Sequence, residues 1–164
     1  MKRYIRPVLL GLLAILLLVQ FIRPAKNQSN DQAYDVSKKY PVPDSVAAIL
    51  KIACKDCHSN YTEYPWYAEI QPVASWLANH VSEGKRELNF STFTMRRAAI
   101  QNHKFEEVIE MVKEGKMPLG SYIRIHRDAI LSDRQQQLLI NWAAANMDSL
   151  KTWYPADSLV LKRK

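Results

Sequence analysis

Apolar and polar positions divide the chain into one wholly apolar stretch, one polar stretch, and a series of segments with helical period. Residues 8–19 form an unbroken apolar run of twelve, and Phe21 and Ile22 extend it past Gln20. Residues 23–43 turn polar, with Asn27, Gln28, Ser29, Asn30, Asp31 and Gln32 in succession and Pro24, Pro41 and Pro43 bracketing them. From residue 44 onward apolar side chains return every three or four positions, the period of an amphipathic helix.

The first such helix starts at Asp44 or Ser45, either a good N-cap after Pro43. Its apolar face is Val46, Ile49, Leu50, Ala53 and Cys57. An aromatic segment, Tyr64-Pro65-Trp66-Tyr67, comes next, as a wall for a cofactor or as plain core anchors. A second helix follows Pro72, with Val73, Trp76, Leu77, His80 and Val81 on one face and Gly84 as its stop. The third helical region runs over residues 92–114 with a break near Asn102 and His103, and Phe105, Val108, Ile109 and Val112 form its later face. Gly115 ends it, and Lys116-Met117-Pro118 makes a loop. The last helix opens on the capping box Ser132-Asp133-Arg134-Gln135 and carries Leu138, Leu139, Trp142, Ala143 and Asn146 to about Met147. Period and turn chemistry thus predict an all-α fold in four segments: a membrane anchor over 1–22, a polar linker over 23–43, a helical domain over 44–147 and a loose tail over 148–164.

Charge changes this picture little. The formal net charge is +7, but Lys2, Arg3, Arg6, Arg23 and Lys26 lie at one end and Lys162, Arg163 and Lys164 at the other. Removing those eight from the 23 basic residues leaves 15 against 16 acidic ones. A body without a basic stripe excludes nucleic-acid binding. The N-terminal charges matter more. They outweigh Arg23 and Lys26, which keeps the N-terminus cytoplasmic. No small-x-small cleavage site follows the apolar run, and counting from Tyr4 gives nineteen residues, about 28 Å of helix against a hydrocarbon core of about 30 Å. The expectation is a single-pass anchor with the rest of the chain exported.

Candidate chemistry concentrates at one place. Both cysteines lie in Cys54-Lys55-Asp56-Cys57-His58, a C-x-x-C followed directly by histidine, the attachment signature of a c-type haem. Two thiols three positions apart can each add across a vinyl group of one porphyrin, and the adjacent imidazole then serves as axial ligand to the iron. Other chemistries use the same residue types. A redox dithiol expects a β-α-β context, and no such strand pattern surrounds the motif. Zinc needs four ligands and would have to recruit two of His58, His80, His103 and His126. One covalent haem c, held by Cys54, Cys57 and His58, satisfies motif, export segment and helical context together.

Beyond that core the sequence resembles the small haem-binding domain of bacterial exported c-type cytochromes. The resemblance is carried by Cys54-Lys55-Asp56-Cys57-His58-Ser59-Asn60, Tyr64-Pro65-Trp66-Tyr67, Pro72, Trp76-Leu77, His80, Glu83-Gly84, Asn89-Phe90-Ser91, Met117-Pro118, Tyr122, His126, Ala129, Leu131-Ser132 and Trp142. It implies a cytochrome c-like helical domain in which the first helix delivers the haem motif and Trp142 of the last helix packs against it. Leu119 stands where the family often has a second proline.

The function so implied is electron transfer between redox partner proteins, with no small-molecule substrate and no catalytic residue. The rival readings are a haem enzyme or gas sensor with an open sixth site, or an accessory subunit of a larger membrane complex. Met117 is the expected sixth ligand, 59 residues beyond His58 in a proline-stiffened loop, with His126 and then His80 as alternatives. Arg96 and Arg97 read as solvated helix surface or as partners of a haem propionate.

Overall fold

Most of the helical periods become helices in the computed structural model, which describes residues 2–161; the first residue and the basic end at 162–164 lie outside it. Among the described residues the fold is all helical, with one isolated antiparallel bridge between Gln28 and Tyr61. The helices are α1 (Lys2–Val19), α2 (Asp44–Ala53), α3 (Lys55–His58), α4 (Val73–Glu87), α5 (Ala98–Lys113), α6 (Gly120–Ile123) and α7 (Asp133–Trp153).

α2 begins at Asp44, but neither Asp44 nor Ser45 caps it: Pro43 is the N-cap residue and the cap has no side-chain bond. The helix does not run on through residues 54–58. Cys54 takes φ −129° and ends α2, and the separate single turn α3 carries residues 55–58. α4 continues past Gly84 to Glu87. Gly84 is no stop signal: a Cβ there would lie 2.7 Å from the carbonyl oxygen of Cys57, so this glycine is a contact residue between α4 and α3. The break in the third region falls at Arg96 and Arg97 and leaves Asn102 and His103 inside α5. Before it, Phe90–Met95 forms a 3-10 turn capped by the Asn89 side chain, which accepts from Ser91 N. The capping box at Ser132 forms as read, and α7 then runs six residues further than predicted, to Trp153.

The core lies where α7 packs on α5 and α2. Phe105 is its hub. Its ring meets Tyr40 at 5.0 Å, Phe93 at 4.8 Å and Trp142 at 5.5 Å. Each such aromatic pair adds about 0.5–1.5 kcal/mol beyond burial. Trp142 also donates its Nε1–H to Pro41 O at 2.8 Å, which ties α7 to the entry of α2.

Two segments expected to be loose belong to this body. The polar stretch over 23–43 buries Asp35, Val36 and Tyr40, and the Tyr40 hydroxyl bonds the buried Gln101. The tail buries Leu150 and Leu159 in the same core. Polar composition hid both, because a few spaced apolar side chains suffice to anchor an irregular segment.

α1 carries the apolar run and contains Pro7. Its large side chains from Val8 to Leu18 are exposed. Among the described residues no helix is long and apolar enough to cross a membrane. The twelve-residue run measures about 18 Å at 1.5 Å per residue, well short of about 30 Å. A transmembrane helix over 1–22 is therefore not supported by length and apolarity.

Candidate functional site

One turn of helix brings residues three and four positions apart onto a common side. In α3 this turn is closed by Cys57 N and His58 N, which both donate to Cys54 O, at 3.2 and 2.9 Å. Cys54, Cys57 and His58 consequently line one cavity of about 320 Å³, together with His80, Met117 and Tyr122. A second cavity of about 360 Å³ shares Cys54, His58, Glu87, Val112, Met117 and Leu139 with the first. Each has the size of a small-molecule site, and the side chains of Val112 and Leu139 in both, with Leu131 in the first, make their walls largely apolar.

His58 is oriented by backbone alone. Its Nδ1 lies 2.8 Å from Gly84 O and 3.0 Å from Leu88 O, both obligate acceptors. Nδ1 therefore carries the proton, and Nε2 keeps its lone pair for a metal. The cysteines are free thiols, half-buried. Burial, then the neighbouring Cys57, pushes Cys54 up to about 12; burial, then Asp56, pushes Cys57 up to about 11. A redox dithiol needs the opposite shift. Among the described residues no three of His, Cys, Asp and Glu gather into a group that could hold a metal ion by themselves.

Met117 reaches the cavity through the end of α5. Gly115, at φ +64°, turns the chain back, and Met117 N then donates to Met111 O at 3.2 Å. Only glycine adopts that backbone without strain. The alternatives are placed differently. His80 shares the cavity with the cysteines, with Nδ1 2.9 Å from Trp76 O and its ring 4.2 Å from Trp76. His126 stacks on Tyr122 at 4.1 Å and lines neither cavity that holds Met117. His80, not His126, therefore lines a cavity together with Met117 and the cysteines. Arg96 and Arg97 are exposed and line neither cavity. Of the aromatic segment, Trp66 is 77% exposed, while Tyr67 lines a smaller apolar cavity with Cys57.

Several positioning residues escaped the sequence reading. Asn60 donates its N–H to Ser91 Oγ (3.1 Å) and its Nδ2 to Asp31 O (3.0 Å), and accepts from Asn89 Nδ2 (2.8 Å). Asn27 donates to Ser59 O and Thr62 Oγ1, both at 2.9 Å, and accepts from Lys85 at 2.6 Å. These bonds hold the chain after His58 against the segment first read as a linker.

Asp56, inside the motif, accepts from Glu63 N at 3.0 Å and from the Tyr122 hydroxyl at 2.7 Å. Burial, then that carboxylate, raises the Tyr122 phenol well above its ordinary range. The strut joins α3 to the segment just after Met117. Hydrogen bonds to charged groups contribute about 1.5–3 kcal/mol. This half-buried one is expected at the lower end, so Tyr122→Phe should cost about 1–2 kcal/mol, read as a fall of several degrees in Tm. An unchanged Tm would show that the strut bears no load.

The sequence model of a family described as a haem-binding domain matches residues 14–145. No curated protein and no solved structure matches the chain. The residues present fit a haem: two thiols on one turn, an imidazole with its free nitrogen presented, and a thioether lining the same apolar cavity.

Proposed function

The chain belongs to the haem-binding domain family, and from that membership we propose that it is a monohaem c-type electron carrier of the extracytoplasmic side. The observation that carries the reading is the joint placement of Cys54, Cys57, His58 and Met117 on one cavity, with His58 Nδ1 held by Gly84 O. Cys54 and Cys57 would hold the group through thioethers, His58 through Nε2, and Met117 through its sulfur. Bound haem supplies a one-electron iron couple, with a histidine–methionine pair placing the potential high.

The chain's part is to keep that couple unchanged between its two states. The Gly84 and Leu88 carbonyls fix the His58 ring and its tautomer, so its bonding nitrogen has no proton to lose. A thioether likewise binds without deprotonation. Val112, Leu131 and Leu139 exclude water from the cavity walls. Redox partner proteins, rather than a small-molecule substrate, are the proposed counterparts. α1 is the proposed membrane attachment, because its exposed apolar side chains find no cover in the domain.

The test is retention of colour by the full chain, made in a host that attaches haem. After denaturation and acid–acetone extraction the polypeptide should keep one haem per chain and show a reversible reduced-minus-oxidised spectrum. A colourless polypeptide would sink the c-type reading.

A further inference from the structure

The stretch expected to be a polar linker is fastened at its start. Gln20, one residue beyond α1, forms a reciprocal pair with the backbone of Gln71: Gln71 N donates to Gln20 Oε1 at 3.0 Å and Gln20 Nε2 donates to Gln71 O at 3.2 Å. The buried Gln71 side chain donates to Ile22 O at 2.7 Å. Arg23 donates to Glu69 O, and both Arg23 and Lys26 pair with the Glu69 carboxylate. The base of the apolar helix is thereby fastened to residues 69–71.

Those residues join two apolar outcrops. Trp66 opens the 3-10 turn Trp66–Glu69, and Trp76 lies in the first turns of α4. Rises of about 2 Å and 1.5 Å per residue keep both within roughly 10 Å of the fastening along their elements. Trp66 is 77% exposed, Ile70 45%, Trp76 44% and, on the helix side, Phe21 83%.

We infer that Trp66, Ile70 and Trp76 form a membrane-docking face, which seats the domain on the lipid surface at the foot of α1 instead of holding it away on a linker. The inference rests on the proposed membrane attachment of α1. Lipid is the chosen occupant because the Gln20–Gln71 and Gln71–Ile22 bonds set these residues at the foot of α1, whose apolar side chains, with Phe21 and Ile22 beyond it, are exposed. Tryptophan is the residue type that settles at the headgroup level, with an apolar ring and a polar N–H. The short apolar run points the same way. A helix shorter than the hydrocarbon draws its flanks toward the bilayer, and here the flank is bonded to this face. Glu69 is neutralised by two cations at the same spot, so no lone carboxylate opposes the approach.

The experiment uses the full chain in phosphatidylcholine vesicles doped with a phosphatidylcholine bearing a diazirine near the top of its acyl chain. After irradiation, lipid adducts are mapped by mass spectrometry. Adducts on both α1 and the 66–76 segment are expected, and Trp66→Glu with Ile70→Glu should remove most of those on 66–76 while helicity and α1 adducts persist. Adducts on α1 alone would overturn the docking face and leave the anchor standing. Adducts on neither would overturn the anchor, and the docking face with it. A chain that gives no adduct on 66–76 and runs as a dimer dissociated by Trp66→Glu assigns the face to a second copy, which also overturns the inference.

Discussion

Gly84→Leu is expected to yield a protein that loads no haem and melts far below the parent. A Cβ at this position would lie 2.7 Å from Cys57 O, 3.0 Å from Cys57 Cβ and 3.1 Å from Cys57 C. Two of those three atoms are backbone and cannot rotate away, so α4 must withdraw from α3. Withdrawal also removes the acceptor of His58, because Gly84 O itself sits 2.8 Å from Nδ1. Even Gly84→Ala should lose. Overpacking costs about 1–3 kcal/mol and a lost hydrogen bond about 0.5–1.5 kcal/mol. The better helix propensity of alanine returns only about 1 kcal/mol. A net loss of about 0.5–3.5 kcal/mol follows for alanine, and more for leucine, whose branches enter the same contact. Thermal melts, with haem absorbance per polypeptide, measure both effects. A raised Tm for Gly84→Ala would mean that the two helices can separate at little cost and that the close approach does not hold His58.

Met117→Ala is expected to abolish the far-red sulfur-to-iron band of the oxidised protein, lower its potential and let the reduced protein bind carbon monoxide. Met117 lines both cavities that contain His58 and Cys54, and its backbone is fixed by the bond to Met111 O. His126 borders neither, so His126→Ala should leave the spectrum alone. His80 is the sharper control. It lines the cysteine cavity, and a Trp76 carbonyl beside Nδ1 leaves its Nε2 available. A parental spectrum in Met117→Ala together with a high-spin His80→Ala would make the iron bis-histidine and remove methionine from the site. If instead every single variant binds carbon monoxide as the parent does, the sixth position is open and the protein is a sensor or enzyme.

Local chemistry was legible along the chain wherever one residue type has one use. The start of α2 at Asp44, just after Pro43, and the reciprocal cap at Ser132 and Gln135 each depend on neighbours within four positions. The all-helical class followed from the same short-range periods. The C-x-x-C-H pattern is legible for the same reason: a thiol pair with an adjacent imidazole carries its spacing inside five residues.

What only the tertiary structure decided are contacts between positions far apart in the chain. Gly84 read as a helix stop, since glycine commonly ends helices, and only the approach of Cys57 from 27 residues away reveals it as a spacer. Residues 23–43 read as a tether because most are polar, yet Asn27, Asp31 and Tyr40 find partners at Thr62, Asn60 and Gln101. Asp56 carries no signal of its own within the five-residue motif, and Tyr122, 66 residues on, supplies its bond. A polar side chain shows in sequence only that it needs a partner. Whether water or a distant residue fills that need depends on how the helices pack, and burial makes the distant partner worth its ordering entropy.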